Sequence, residues 1–131
     1  MLRMTMREFQ ERFGQKPKAR KYKNEPIEID GHKFPSLHEA NRYCELVLMQ
    51  NAGKIFNLRV QVRYELIPTQ YEDRFRKKGV IERSVTYIAD FTYNNEDREL
   101  IVEDAKGYRT REYIIKRKLM LWVHKIRIKE V

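Results

Sequence analysis

The sequence predicts an α/β fold with an αβββαβ core, and three patterns carry that reading. Ser36 followed by Leu37, Ala40, Tyr43, Cys44, Val47 and Leu48 on a helical stripe, with Gly53 just beyond, predicts a capped helix of about fifteen residues. Leu58, Val60, Val62, Tyr64 and Leu66 alternate with Arg59, Gln61, Arg63 and Glu65 until Pro68, the period of two of a strand. Val85 to Tyr93 and Leu100 to Lys106 are β-prone runs on either side of the turn-forming Asn94-Asn95-Glu96-Asp97, which predicts a hairpin closed by Gly107.

The remaining elements flank this core. Thr110 is placed to cap a second helix, with Ile115, Leu119 and Trp122 at i, i+4 and i+7, and Ile126 and Ile128 alternate with Lys125, Arg127 and Lys129 in a final strand. At the front, Thr5 and Glu8 form a capping box, Met6, Phe9 and Phe13 keep helical spacing, and Gly14 is a stop. Lys16, Lys18, Arg20, Lys21 and Lys23 then run without an acid past Pro17, reading either as an extended phosphate-binding arm or as a solvated leader. Asp30-Gly31 between Ile27-Glu28-Ile29 and His32-Lys33-Phe34 predicts a small hairpin. Gln70 to Arg83 mixes both charges around Gly79 and reads as a loop or a loosely formed hairpin tip. The organisation expected is a basic helix and arm over residues 1–24 and a main domain over residues 25–131.

Composition narrows the function. The chain has 131 residues, 28 Lys and Arg against 19 Asp and Glu, and a net charge of +9. This length supports one core, which excludes a two-domain enzyme. Eight Tyr, six Phe and one Trp distinguish it from a disordered polycation, so the charge belongs to a globular protein that needs a polyanionic partner, nucleic acid first. Residues 1–24 hold eight basic and two acidic residues, a net +6, leaving +3 on residues 25–131. The longest apolar run, Leu119 to Val123, is too short for a membrane span, and the alternating Met1–Arg7 is no secretory signal. A lone Cys44 points to a reducing compartment, the cytoplasm. His32, His38 and His124 lack zinc-ligand spacing, and His38 and His124 read as packing or surface residues.

The chemistry concentrates on the central hairpin. Asp90 interrupts the apolar Tyr87-Ile88-Ala89 and Phe91, where an unpartnered carboxylate is costly to bury. Asp104 and Lys106, two apart on a strand, share a face, and the hairpin turn brings them beside or diagonal to Asp90. Two carboxylates in proximity require a proton or a cation, and hard oxygen donors suit Mg²⁺, with Mn²⁺ as substitute. A one-residue slip would put Glu103 in the place of Asp104, although only residue 104 shares a face with Lys106. The plain alternative is a surface hairpin with an ion pair.

Asp90 on the second strand with Asp104-Ala105-Lys106 on the third resembles the PD-(D/E)XK nuclease superfamily, although Ala89 stands where the name has proline. Lys21-Tyr22, Asp30-Gly31-His32-Lys33-Phe34, Ser36-Leu37-His38-Glu39-Ala40, Tyr87 to Phe91 and Val102 to Gly107 further resemble a phage-encoded family of small proteins. The resemblance implies a restriction-endonuclease-like core, a mixed central sheet flanked by helices, and catalysis by Asp90, Asp104 and Lys106. It implies Glu39 as a third metal ligand, against the reading in which Ser36-x-x-Glu39 is only a capping box. It also implies Gln61 as a residue orienting water or phosphate, against an ordinary polar strand face. Arg59 and Arg63 on the first strand, and Arg109, Arg111, Lys116, Arg117 and Lys118 around the second helix, would add phosphate contacts. The activity expected is a Mg²⁺-dependent endodeoxyribonuclease of the host cytoplasm that hydrolyses DNA phosphodiesters. Branched or junction DNA is the substrate, and a homodimer the assembly, that related junction-resolving enzymes imply. The alternative is a non-catalytic nucleic-acid-binding protein that retains the nuclease fold.

Overall fold

The structure is a computed structural model that describes residues 2–13 and 25–131. In chain order it contains β1 (Leu2–Met4), α1 (Met6–Phe13), β2 (Ile27–Ile29), β3 (His32–Phe34), α2 (Leu37–Asn51), β4 (Phe56–Ile67), β5 (Gln70–Asp73), β6 (Lys78–Glu82), β7 (Val85–Asn94), β8 (Leu100–Asp104), α3 (Arg111–Leu119), a π-helical turn (Met120–His124) and β9 (Lys129–Glu130). Hydrogen bonding arranges the strands in three sheets, ordered β1-β2-β3, β4-β7-β8-β9 and β5-β6. The chain is mixed α/β, and α2, β4, β7, β8, α3 and β9 follow the expected αβββαβ order with the β5–β6 pair inserted after the first of these strands. Among the described residues no helix is long and apolar enough to cross a membrane.

Two compact units partition the chain. The first takes the described residues up to Val60 together with Tyr93–Leu100, and the second takes Gln61–Thr92 and Ile101–Val131. In the first, β2 and β3 turn on Asp30 (φ 50°) and Gly31 (φ 84°), the two left-handed positions that a tight hairpin needs. The expected hairpin is therefore present. Ile27, Ile29 and Phe34 are fully buried, and the Phe34 ring lies 5.0 Å from Tyr43 of α2. Burial, reinforced by the charges of Asp30 and Glu45, pushes the Cys44 thiol up to about 11, which makes this cysteine an inert core residue.

The start of the chain departs from expectation. The Thr5 capping box closes in both directions at 3.2 Å, as its sequence predicts. However, Leu2–Met4 forms a strand that pairs in parallel with Ile27–Ile29. Residues 2–13 therefore belong with residues 25–60 rather than standing apart from a domain that begins at residue 25. The basic run of Lys16, Lys18, Arg20, Lys21 and Lys23, with Gly14, lies outside the described residues.

The second unit is organised around Leu66, Tyr87, Ala89, Val102, Tyr113, Met120 and Ile128, all buried. Two expectations are corrected here. Of the stripe Ile115, Leu119, Trp122, only Leu119 packs against this core; Ile115 is 58% and Trp122 75% exposed, while Tyr113 and Met120 are buried. The π-helical turn after Leu119 accounts for part of this, since its wider winding changes which side chains follow one another along a face. The final strand is also shorter than Ile126–Lys129 suggested: Ile128 packs in the core, and only Lys129–Glu130 pair, in parallel, with Glu103–Asp104. Between the alternatives for Gln70 to Arg83, the structure selects a hairpin, with Tyr71 opposite Val80 and Asp73 opposite Lys78.

Helix α2 starts at Ser36, whose side chain accepts a hydrogen bond from the Glu39 backbone N–H at 3.2 Å. Removing that acceptor in Ser36→Ala should lower the unfolding free energy by about 1 kcal/mol in urea titrations, while Ser36→Asp, which restores a capping oxygen, should recover most of it.

Candidate metal and phosphodiester site

Asp90 sits on β7, and Asp104 is the last residue of β8. These strands are neighbours joined by a turn in which Asn95 Oδ1 accepts the Asp97 and Glu99 N–H groups, both at 2.9 Å. Neighbouring strands with so short a connection run antiparallel, which returns β8 alongside β7. The consequence is a direct tie between the two acidic positions. Asp90 Oδ2 accepts the backbone N–H of Ala105, the residue after Asp104, at 2.8 Å.

Asp104 is almost fully buried, and its two oxygens have different surroundings. Oδ2 accepts the Tyr87 hydroxyl at 2.5 Å. Oδ1 is buried without a hydrogen bond, and Lys106 Nζ stands 3.3 Å from it as an ion-pair partner. Lys106 in turn lies over the Tyr113 ring, 4.4 Å from its centroid, so its ammonium is held by a carboxylate and an aromatic face together. Burial, the hydrogen bond to Asp104 and the charges of Asp104 and Asp90 push the Tyr87 hydroxyl far above the usual tyrosine range. Tyr113 is raised too, first by burial and then by the charges of Asp104 and Glu130. Its hydroxyl is buried without a hydrogen-bond partner.

These groups line an open cavity of about 320 Å³. Thr86, Tyr87, Ile88 and Asp90 come from β7, and Asp104 and Lys106 from the end of β8 and the residues after it. The first turns of α3 supply Glu112, Tyr113 and Lys116, preceded by Thr110. Thr110 caps that helix by accepting the Tyr113 N–H at 3.1 Å, the role its sequence position predicts. Lys116 pairs with Glu112 at 3.1 Å on the cavity wall.

The expected site residues separate into groups. Asp90, Asp104, Lys106 and Lys116 share the cavity. Glu103 does not: it is fully buried and its carboxylate faces Lys129 Nζ at 3.8 Å, so the register places Asp104 at the site. Gln61 is exposed and is not among the residues that line this cavity. Its φ of 55° is left-handed inside β4, a local break that re-aims a strand side chain. Glu39 belongs to the other compact unit, where its backbone N–H serves the Ser36 cap. Arg59, Arg63 and Arg111 are exposed. Arg109 and Arg117 both pair with Glu130, whose carboxyl is held below its usual range first by the Arg109 hydrogen bond. His124 packs edge-on against Tyr64 and its Nε2 donates to the Glu65 carbonyl at 2.6 Å, in keeping with a packing role.

Two contributors escaped sequence reasoning, Tyr87 and Tyr113. Both fit an apolar pattern, yet a buried tyrosine needs a partner for its hydroxyl, and an acid two strand positions from a lysine on the neighbouring strand was the available signal.

The cavity offers oxygen donors of the kind that could hold a hard divalent cation. Asp104 Oδ1 is a buried anionic oxygen without a hydrogen bond, Asp90 supplies a second carboxylate, and Thr86 and Thr110 line the same cavity. Among the described residues no three His, Cys, Asp or Glu side chains gather into a metal-holding group. Of the cavity's three carboxylates, Glu112 is paired with Lys116, so Asp90 and Asp104 are the two that could hold a cation.

Comparison with protein families decides the kinship of the chain. Residues 19–129 match the family described as protein of unknown function (DUF1064). The chain belongs to the DUF1064 family. That match spans α2 to β9, and so every element that lines the cavity of this DUF1064 protein. No curated protein and no solved structure matches the chain.

The Tyr87–Asp104 contact carries a pH signature. A tyrosine whose folded pKa is raised stabilises the fold below its unfolded pKa of about 10, and that contribution is lost as the pH rises through the folded value. Tyr87→Phe leaves Asp104 Oδ2 buried without its donor. It should cost about 1–3 kcal/mol at pH near 7, and urea titrations repeated above about pH 10 should show the difference from the native chain narrowing.

Proposed function

We propose that this protein is a metal-dependent endonuclease that hydrolyses DNA phosphodiester bonds. The observation that carries the reading is the buried Asp104 oxygen without a hydrogen bond, 3.3 Å from Lys106, in an open cavity that Asp90 shares. The order of the elements around it supports a restriction-endonuclease-like core: α2, then β4, β7 and β8 as consecutive neighbours, then α3, then β9 parallel to β8.

Asp90 and Asp104 would hold Mg²⁺, which when bound polarises the phosphoryl group and lowers the pKa of attacking water. The remaining chemistry belongs to side chains. The Tyr87 hydroxyl fixes the rotamer of Asp104, and the Ala105 N–H fixes Asp90, so the two carboxylates are preorganised before substrate arrives. Lys106 orients the attacking water and stabilises the negative charge that builds on the phosphate. Lys116, on the cavity wall, meets a neighbouring phosphate. DNA and Mg²⁺ meet in the cytoplasm, and a homodimer would supply the two cuts that a branched substrate requires.

A second reading has one observation in its favour. Lys106 already compensates the Asp104 charge, so the cavity is electrostatically sustainable as a phosphate-binding cleft that does not cut. Labelled duplex, single-stranded and four-way-junction DNA incubated with and without Mg²⁺ separates the two. Cleavage should require the metal and fall at least about 100-fold in Asp104→Asn and in Lys106→Ala. Cleavage that persists in the Asp90→Asn, Lys106→Ala double variant overturns the endonuclease, and salt-sensitive binding without any cleavage establishes the binding protein.

A further inference from the structure

The β5–β6 pair carries one strand that is exposed along its whole length. It forms a two-stranded sheet of its own, and all five residues of β6 are exposed, including Val80 and Ile81. At its tip Phe75 is 86% exposed, the largest value among the exposed apolar side chains of the described residues. Arg74, Arg76, Lys77 and Lys78 surround it, four cations in five residues.

The tip is an ordered turn. Asp73 Oδ1 accepts the N–H groups of Phe75 at 3.0 Å and Arg76 at 3.2 Å, and Asp73 also pairs with the Arg76 guanidinium at 3.7 Å. Lys77 adopts φ 50°, and Gly79 adopts φ 65° at a point where a Cβ would meet the Glu72 carboxylate at 2.9 Å. A side chain at position 79 is therefore strained by the backbone conformation and would require the Glu72 side chain to shift. Arg74 lies over the Phe75 ring, 5.1 Å from its centroid. Asp73 is engaged inside the turn and Glu72 is the other acid beside it, so the four cations of residues 74–78 leave the surface around Phe75 net positive.

We propose that this hairpin is a nucleic-acid-contacting element in which Phe75 stacks on a base and Arg74, Lys77 and Lys78 meet the flanking phosphates. The proposal rests on DNA being the substrate and adds how the substrate is recognised. A two-stranded ribbon fits a duplex groove, and base stacking on an exposed aromatic ring rewards DNA whose bases are already unpaired or unstacked. The ribbon joins β4 to β7, the strand that carries Asp90.

The test uses the full chain in EDTA, which keeps DNA uncut, with a fluorescein-labelled four-way junction and a linear duplex of matched sequence carrying 2-aminopurine at successive positions. Phe75→Ala should weaken junction binding about ten-fold and remove the 2-aminopurine fluorescence change, while Phe75→Trp should retain both. Lys77→Ala with Lys78→Ala should weaken binding to both DNAs and reduce the salt slope by about two. Junction binding by Phe75→Ala within two-fold of the native chain overturns the hairpin's role, as does loss of binding to phosphatidylserine vesicles with DNA binding unchanged. Metal-dependent cleavage lost in Asp104→Asn stands independently of either result, so failure of the hairpin and failure of the nuclease remain distinct.

Discussion

Burial of the Asp104 carboxylate is the constraint on which this site depends. A carboxylate at the end of a core strand is unfavourable unless each of its oxygens is compensated. The second unit meets that requirement from three elements: β7 contributes the Tyr87 hydroxyl, the segment after β8 contributes Lys106, and α3 contributes the Tyr113 ring that holds Lys106 in place. The same residues pack the core, since Tyr87 and Tyr113 are buried beside Val102 and Met120. Fold and site are therefore not separable here. One oxygen, Oδ1, still accepts no hydrogen bond and faces an ammonium at ion-pair distance, an arrangement suited to exchange with a metal and a phosphate.

The charge of the chain has acquired parts. The +9 total is weighted toward residues 1–24, and the remainder carries only a small excess of cations. Within that remainder several cations are committed: Lys106 to Asp104, Lys116 to Glu112, Arg109 and Arg117 to Glu130, and Lys129 to Glu103. At the β5–β6 tip, four cations fall within the five residues from Arg74 to Lys78. Cation binding between Asp90 and Asp104 would shift the cavity itself toward positive potential, where a phosphate must approach.

What could be read from the sequence followed local physics. Ser36 and Thr110 cap helices, Asp30-Gly31 turns a hairpin, and the Asn94–Asp97 turn lays Asp104 and Lys106 beside the strand of Asp90, because each depends on spacing within a few residues. What could not be read depends on distant or cooperative packing. The three-residue β1 pairs with β2 across more than twenty intervening positions, which no periodicity announces. The π-helical turn after Leu119 buries Met120 and leaves Trp122 exposed, and Tyr113 rather than Ile115 is the buried residue of α3. The left-handed Gln61 interrupts an otherwise regular alternation, and the Tyr87 hydroxyl is silent in a pattern that scores tyrosine as apolar.

Anomalous diffraction from crystals soaked in Mn²⁺ tests the central claim most directly. The expected result is an ion coordinated by Asp90 and by Asp104 Oδ1, with Lys106 Nζ displaced from its 3.3 Å contact and the Tyr87 hydrogen bond retained. An Asp104–Lys106 pair that stays intact at saturating Mn²⁺, with no anomalous peak in the cavity, would contradict it.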